Sequence, residues 1–298
     1  MTRREPERGI APSAPERDLV PSEPERGLAP SELLLRADFA ADLAREAGAL
    51  ALAYFRRDIA FATESKGPQD FVSAADRAVE ALIRERIART FPQDTMFGEE
   101  AGGAIGTHAW LVDPIDGTIN FVHGVRYWCV SIVFLVNGER SIGVIHDPTA
   151  GELFRATRGG GAFCNDATIR ASSCEQLDEA MLCAGYVSRQ SLPAHLALKR
   201  ALHEAGTAVK DMGAGALMLA HTAAGRYDAY LEPHMHPWDA LAGLLLVEEA
   251  GGRTLPYPGA DGLAGGGAVI ASAPCLYDTL LSLMVASGSA PATGEKMR

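Results

Sequence analysis

The chain has 298 residues, of which 47% are hydrophobic and 22% are charged, and its formal net charge is −11. This excess of acidic residues argues against general nucleic-acid binding through a basic surface. The five cysteines are odd in number and form no CxxC pair, which favours free thiols in a reduced, cytoplasmic protein. Because no apolar run approaches the length of a membrane-spanning helix, we expect no membrane partner.

The beginning of the chain contains three consecutive nine-residue repeats, EPERGIAPS, APERDLVPS and EPERGLAPS. The prolines disfavour a helix, and each repeat has few apolar side chains that could be buried. We therefore predict a disordered N-terminal tail over residues 1–31. The repeats could have no function or could form a docking segment, and the sequence does not decide between the two.

Helical patterns follow the repeats. Ser31 is predicted to cap a helix over ELLLRADFAADLAREAGALALAYFRR, and SAADRAVEALIRERIART is typical of a second amphipathic helix. The stretches TMFGEE and AWLVDP are typical of short buried strands that end in carboxylates. WCVSIVFLVNGERSIGVIHD predicts a β-hairpin, because Asn137 and Gly138 tolerate the positive φ of a tight turn.

From Met181 onward, short strands alternate with helical stretches, which is typical of an α/β arrangement. We assign residues 32–180 to an α+β N-terminal half that carries the candidate site. Residues 181–286 form an α/β C-terminal half, and residues 287–298 form a disordered tail. The two halves are predicted to pack as one layered unit of the α+β class.

The segment WLVDPIDGTINF places two aspartates directly after a buried strand. Neighbouring carboxylates repel each other unless a cation or a shared proton relieves the repulsion. Pro114 keeps the preceding residue extended, so the turn can bring Asp113, the Ile115 carbonyl and Asp116 to one point. Gly117 allows a close backbone approach, and a helix beginning in GTINF would point its free amides at an anion. A cation and a phosphate could then lie side by side, as metal-assisted phosphoryl transfer requires.

The candidate ligands, including Glu99 in FGEE, are all hard oxygen atoms, which favours magnesium over zinc. His234 and His236 in HMHPWD lack a third ligand and are weak evidence for zinc. The spacing of DPIDG does not fit an EF-hand loop, and it lacks the alternating aspartates of phosphatases that form a phospho-aspartate. Taken singly, Asp76, Glu99 and Asp239 are also compatible with solvated or helix-capping roles.

Taken together, GEE, WLVDPIDGTINF and PWDALAG resemble the inositol monophosphatase family in their order and separations, over about residues 35 to 285. KGPQDFVSAAD and YDAYLE also resemble segments of that family. The resemblance implies a layered αβαβα sugar-phosphatase fold, in which an antiparallel N-terminal sheet is followed by an α/β C-terminal half. That family belongs to the magnesium-dependent, lithium-sensitive phosphatases, alongside fructose-1,6-bisphosphatase, so the resemblance implies a magnesium-dependent phosphatase and leaves the lithium sensitivity of this chain open.

The resemblance further implies a ligand set for two or three Mg²⁺ ions. Glu99, Asp113 and the Ile115 carbonyl would bind the first ion. Asp113, Asp116 and Asp239 would bind the second, which helps the leaving oxygen. Glu99 would also help to hold a weaker third ion.

Catalytic and substrate-binding roles are implied in the same way. Thr118, hydrogen-bonded to Asp76, would orient the attacking water, so the candidate catalytic residues are Thr118, Asp76 and Glu99. The amides of Gly117 and Thr118 would hold phosphate oxygens. Glu232 would receive substrate hydroxyls, and Gly215 would offer its amide to one of them.

The activity that the resemblance implies is hydrolysis of inositol monophosphate, or a similar polyol or sugar phosphate, by a metal-activated water. Histidinol phosphate, fructose 1,6-bisphosphate and 3′-phosphonucleotides stay open as substrates, because the stretch DMGAG at residues 211–215 departs from the family pattern. A binding role in transcription or ribosome regulation is an alternative of a different class, since some bacterial relatives act on the transcription machinery. The resemblance also suggests a homodimer.

Overall fold

Helices and sheets alternate as layers in the computed structural model, which describes residues 28–59, 63–67, 70–186, 191–257 and 262–289. Most of both predicted tails, residues 1–27 and 290–298, lies outside the described residues. Within these ranges, no helix combines the length and apolar character needed to cross a bilayer. The helices are α1 Pro30–Phe55, α2 Ala74–Thr90, α3 Thr118–His123, α4 Leu192–Glu204, α5 Gly215–Ala223, α6 Pro237–Glu249, α7 Gly262–Gly265 and α8 Tyr277–Ala286.

The strands form a large sheet, a smaller sheet and a two-stranded hairpin. The large sheet has the order β10-β9-β8-β7-β6-β5-β3-β4 and is antiparallel except where β3 pairs with β5. The smaller sheet has the order β12-β11-β13-β15-β14, and β1 pairs with β2. The strands are β1 Thr63–Gly67, β2 Asp70–Ser73, β3 Thr95–Gly98, β4 Gly102–Gly103, β5 His108–Asp116, β6 Cys129–Val136, β7 Glu139–Asp147, β8 Glu152–Thr157, β9 Gly161–Cys164, β10 Ala167–Thr168, β11 Met181–Ala184, β12 Ala208–Lys210, β13 Ala229–Met235, β14 Arg253–Thr254 and β15 Gly267–Ser272.

Five layers pack around three apolar cores, one of which fills both faces of the middle layer. Successive residues of β5 point to opposite faces of the large sheet, so Trp110 and Val112 pack against α1 and α2, while Ala109 and Leu111 pack against α5 and α6. The other side of α5 and α6 covers the smaller sheet, whose far face packs against α4 and α8. This αβαβα order confirms the predicted fold class, and it explains why β5 is apolar without alternation, since both of its faces are buried.

The start of the first helix differs from the prediction that Ser31 is its N-cap. The helix α1 begins at Pro30, and the Glu32 carboxylate accepts a 3.0 Å hydrogen bond from the Ala29 amide. Proline is well suited to the first helical position, because its fixed φ matches the helix and its missing N–H would have had no partner there. The sequence pattern therefore predicted the helix correctly. The predicted N-cap, Ser31, lies two residues after the observed N-cap, Ala29.

The tight turn of the predicted hairpin is confirmed. The strands β6 and β7 are joined by Asn137 and Gly138, whose φ angles are 53° and 79°. Positive φ at both central residues gives a turn whose twist matches that of the flanking strands. This hairpin fixes the position of Ser131, which contacts the candidate site described below.

Candidate active site

Three structural elements bring four acidic side chains together. Asp113 and Asp116 lie at the end of β5, Glu99 follows β3, and Asp239 occupies the first turn of α6. The parallel pairing of β3 with β5 ends with a 3.1 Å hydrogen bond from the Glu99 amide to the Val112 carbonyl, which places Glu99 beside Asp113. The predicted convergence of distant carboxylates therefore follows from the strand order.

A hydroxyl on the neighbouring strand joins α6 to the same point. Ser131 is the cross-strand partner of Asp113, and its Oγ donates a 3.0 Å hydrogen bond to the Trp238 carbonyl. Asp239 is the next residue along the chain, so its carboxyl group is held close to that of Asp113. Nothing in the sequence indicates this contact, because Ser131 lies within an otherwise apolar strand.

Burial raises the pKa values of all three aspartates, and repulsion by neighbouring carboxylates adds to the shift for Asp113 and Asp239. Burial contributes most to the raised pKa of Asp113, followed by the charges of Glu99, Asp239 and Asp116. The pKa of Asp239 is raised by burial and then by Glu99. Burial raises the pKa of Asp116 to about 6, although backbone amides that bond its carboxylate oppose the shift. The site thus concentrates negative charge, and a cation would relieve that repulsion.

The DPID turn fixes the orientation of Asp113. Its Oδ1 accepts a 2.9 Å hydrogen bond from the Ile115 amide, and a register irregularity between Asp113 and Asp116 bends the end of β5. Gly117 follows with a φ of 91°, and a Cβ atom built there would lie 2.9 Å from the Ala214 Cβ. Glycine is therefore required at this position both for its backbone angle and for the close approach of the segment before α5.

The helix predicted to begin in GTINF is confirmed as α3, whose first residue is Thr118. The Thr118 hydroxyl lies 3.1 Å from the Ile115 carbonyl and 3.4 Å from Asp76 Oδ1. The contact between Thr118 and Asp76 expected from the resemblance is therefore present, although the single hydroxyl proton is shared between two acceptors. Asp76 itself is buried, in the first turn of α2.

Asp116 bonds the beginning of α5. Its Oδ1 atom accepts a 3.1 Å hydrogen bond from the Gly215 amide. Its Oδ2 atom accepts hydrogen bonds from the Ala216 and Leu217 amides, at 2.8 and 3.3 Å. The same Oδ2 atom also contacts Cys129 Sγ at 3.6 Å. Because each carboxylate oxygen has two lone pairs, only Oδ1 retains capacity for a further partner. The amide of Gly215 is engaged in this bond, which differs from the expectation that it is offered to a substrate hydroxyl.

Glu232 lies at the side of the site, on β13. It is buried and accepts a hydrogen bond from the Tyr230 hydroxyl. Burial, and secondly the charge of Glu232, raise the pKa of Tyr230, so the phenol stays protonated and acts as the donor. A Cβ atom at Gly215 would lie 3.8 Å from Glu232 Oε2, which shows that Glu232 and the α5 amides bonded to Asp116 border the same space.

Sequence reasoning missed Asn120 and Tyr230. The Asn120 Nδ2 donates to the Tyr127 and Met212 carbonyls, both at 2.8 Å, and so joins α3 to the segment before α5. Tyr230 precedes Glu232 by two residues on one strand, so the two side chains share a face. The two-residue spacing could have indicated that Tyr230 lies beside Glu232. The hydrogen-bond partners of Asn120 could not be predicted in this way, because they depend on the tertiary fold.

The two histidines considered for zinc have other surroundings. His234 Nε2 lies 2.7 Å from the Gly265 carbonyl, and the His236 ring stacks on Trp238 with centroids 4.5 Å apart. Across the described ranges, no three His, Cys, Asp or Glu side chains are already grouped so that they could hold a metal ion. Asp113 hydrogen bonds directly to Glu99 and Asp239, so these carboxylates would have to turn apart to coordinate an ion together.

The donor set nevertheless suits a hard divalent cation. Asp113, Glu99 and Asp239 meet at the end of β5, and Asp116 has one oxygen with remaining capacity. Carboxylate and carbonyl oxygens are the ligands that Mg²⁺ prefers, and it accepts few protein ligands because it keeps several waters.

The chain is similar to several known proteins. The model of the Inositol monophosphatase family matches residues 34–289. The Nus factor SuhB of Escherichia coli K12 is 35% identical over 252 residues, which cover 83% of this chain and 94% of that protein. An inositol-1-monophosphatase of Rhizobium meliloti is 40% identical over 192 residues, covering 63% and 72%. The solved structure of a Thermotoga maritima IMPase superimposes with a TM-score of 0.77 at 31% identity, covering 85% and 98%.

The raised pKa values predict a pH dependence of stability in the presence of a chelator. Asp113, Asp116 and Asp239 bind protons more tightly in the folded than in the unfolded chain. Their contribution is complete below an unfolded pKa of about 4, and it is lost as pH rises through the folded values, which begin near 6 for Asp116. We expect urea denaturation in EDTA to show a free energy of unfolding that falls as pH rises through about 6.

The control for this prediction is the double variant Asp113→Asn with Asp239→Asn, which removes two of the titrating groups. The free energy of unfolding of the wild type should fall more with rising pH than that of the double variant, because only the wild type releases protons from Asp113 and Asp239. Parallel pH profiles for the two proteins would show that the carboxylates do not titrate as described.

Proposed function

This chain belongs to the inositol monophosphatase family, and from that premise we propose that it is a magnesium-dependent phosphomonoesterase acting on inositol monophosphate or a similar polyol phosphate. The family is generally Mg²⁺-dependent. The observation that carries the proposal is the meeting of the half-buried Glu99 and Asp239 with the buried Asp113, beside the first turn of α3. The identity to the Rhizobium meliloti inositol-1-monophosphatase supports the substrate class.

We propose two principal cation sites and a weaker third. Glu99, Asp113 and the Ile115 carbonyl form the first, and Asp113, Asp239 and the Oδ1 atom of Asp116 form the second. Glu99 also contributes to the third. When bound there, Mg²⁺ supplies Lewis acidity that lowers the pKa of water and stabilises negative charge on the leaving oxygen.

Thr118 and Asp76 are proposed to orient the water that attacks phosphorus. If the Ile115 carbonyl is engaged by a cation, the Thr118 hydroxyl proton is left to Asp76, 3.4 Å away. The Thr118 oxygen then faces the water as an acceptor and aligns it for in-line attack. The phosphorus–oxygen bond to the alcohol breaks as the new bond forms, and the products are the alcohol and inorganic phosphate.

The phosphate and polyol groups of the substrate contact different elements. We propose that the amides of Gly117 and Thr118 hold phosphate oxygens at the beginning of α3. On the opposite side, Glu232 accepts hydrogen bonds from substrate hydroxyls. The Tyr230 hydroxyl donates to the Oε2 atom of Glu232 and holds that carboxylate in place. A buried carboxylate favours a neutral polyol there and repels a second phosphate, which disfavours bisphosphorylated substrates.

A phosphatase panel tests the proposal. We expect inositol 1-phosphate to be hydrolysed only with Mg²⁺, and Asp113→Asn to lower kcat/KM by roughly 10³-fold or more, because it weakens both principal cation sites. Asp42→Asn, at a side chain that is 82% exposed on α1, is the matched control and should retain activity. Activity of Asp113→Asn near that of the control would refute the cation sites.

The same panel tests the substrate. A kcat/KM for histidinol phosphate about tenfold or more above that for inositol 1-phosphate would refute the substrate assignment.

Glu232→Gln should change substrate choice rather than the chemical step. Loss of a charged hydrogen-bond acceptor is expected to lower kcat/KM for inositol 1-phosphate by roughly 10- to 100-fold, mainly through KM. An aryl phosphate without hydroxyl groups is the control substrate and should be hydrolysed at the wild-type rate. A collapse of kcat on both substrates would place Glu232 in the chemical step and contradict its assignment to the polyol.

The name of the Escherichia coli relative, Nus factor SuhB, supports a second candidate function, binding to the transcription machinery. If the chain has this role, bacterial RNA polymerase should be captured equally by wild-type protein and by Asp113→Asn, because binding does not need turnover. A chain without residues 1–27 shows whether the repeats contribute. Capture no greater than that by beads without protein would exclude this binding to the polymerase.

A further inference from the structure

A buried glutamate on α2 bonds the backbone of the loop that carries Glu99. Glu80 is 2% exposed, and its Oε2 accepts from the Glu100 amide at 2.7 Å while its Oε1 accepts from the Ala101 amide at 3.1 Å. Sequence reasoning passed over Glu80, because a glutamate within a helix is usually a solvated side chain. Here the Glu80 carboxylate is the hydrogen-bond acceptor for two consecutive loop amides.

Arg84 completes the arrangement one helical turn further along. Its Nη2 atom lies 2.7 Å from Glu80 Oε1 and 2.8 Å from the Gly102 carbonyl. A buried carboxylate is costly unless it is paired and hydrogen-bonded, and the two amides and the guanidinium satisfy that requirement. The Glu80–Arg84 clamp, as we call these two side chains, therefore contacts the loop at three successive residues, 100 to 102.

Gly98 lets the Glu80 carboxylate approach the loop closely. A Cβ atom at Gly98 would lie 2.3 Å from the Glu80 Cδ, so only glycine lets the carboxylate reach the loop amides. On the other side, the Glu99 amide is bonded to the Val112 carbonyl at 3.1 Å. The backbone of Glu99 is thus fixed by β5 before it and by Glu80 after it.

The same helix also carries Asp76, one turn before Glu80. Residues four positions apart lie on one face of a helix, so Asp76, Glu80 and Arg84 form a row along α2. Asp76 contacts Thr118 at 3.4 Å, and Glu80 bonds the Glu99 loop. One rigid element therefore sets the separation between the proposed water-orienting threonine and the proposed cation ligand.

We propose that Glu80 and Arg84 are positioning residues for the reaction, which hold the carboxylate of Glu99 where a divalent cation requires it. They touch neither substrate nor cation and act through the loop backbone. This inference rests on the proposed function in one respect, that Glu99 is a cation ligand. Ligand-positioning groups of this kind typically change metal affinity by about 10- to 100-fold when they are removed.

Glu80→Gln tests the proposal, because the side chain keeps its shape but presents an NH₂ group to a loop amide that also donates. We expect calorimetric titration with MgCl₂ to show roughly tenfold weaker binding, and KM at saturating Mg²⁺ to stay unchanged. Amide hydrogen exchange at Glu100 and Ala101 should become faster. When Glu99→Gln is already present, Glu80→Gln should cause no further loss of Mg²⁺ affinity, since both changes act on the same cation ligand, Glu99.

Two arginine variants separate positioning from general stability. Arg84→Ala should weaken Mg²⁺ binding and Arg84→Lys should restore part of it, and both remain informative if Glu80→Gln does not fold. Arg36→Ala breaks another buried ion pair, with Asp94 at 2.9 Å, and should lower stability without changing Mg²⁺ affinity. Arg200→Ala, from the exposed pair with Glu204 on α4, should change neither.

The outcomes distinguish this inference from the proposed function. If wild-type protein neither binds Mg²⁺ nor hydrolyses any phosphate ester, the proposed function has failed. If wild-type protein is active but the Glu80 and Arg84 variants bind Mg²⁺ as tightly as wild type, the positioning role is overturned. It is also overturned if Arg36→Ala weakens Mg²⁺ binding as much as Arg84→Ala, because the clamp would then contribute stability alone.

Discussion

The structure depends most on the burial of several carboxylates at one end of β5, where like charges repel and solvent does not screen them. Burial is the largest cause of the raised pKa values of Asp113, Asp116 and Asp239, and neighbouring carboxylates add to it for Asp113 and Asp239. Such a cluster is stable only if the surrounding backbone supplies positive potential or hydrogen-bond donors. The arrangement of helices around β5 answers this requirement.

Helix N-termini converge on the cluster. Asp76 and Asp239 lie in the first turns of α2 and α6, Asp116 accepts hydrogen bonds from the first amides of α5, and α3 begins directly after Gly117. The N-terminal end of a helix carries a partial positive charge and unpaired amides, so each helix partly offsets one acidic group. The layered fold makes this possible, because strands of the large sheet end where helices on both of its faces begin.

The sequence predicted the parts of this arrangement that are encoded locally. The DPIDG turn, the Asn137–Gly138 hairpin and the helix in GTINF depend on side-chain types within a few residues, and all are present. Contacts between distant segments were accessible only through the family resemblance, as with Asp239 and Glu232. Glu80 shows the limit, because nothing in its helix reveals that its carboxylate is buried against loop amides twenty residues away.

Asp116 links the two sheets and so has a structural role that differs from that of Asp113. Its bonds to the first amides of α5 tie the large sheet to the helix that covers the smaller one, and Gly215 in that turn borders Glu232 on β13. This carboxylate and the Asn120 hydrogen bond to the Met212 carbonyl together hold the beginning of α5 against the end of β5. Because three amides and a thiol already occupy most of its lone pairs, Asp116 would contribute only its Oδ1 atom to the proposed second cation site. Asp116 would thereby join that site to the segment that borders the proposed polyol side, whereas the backbone hydrogen bond of Asp113 stays within its own turn.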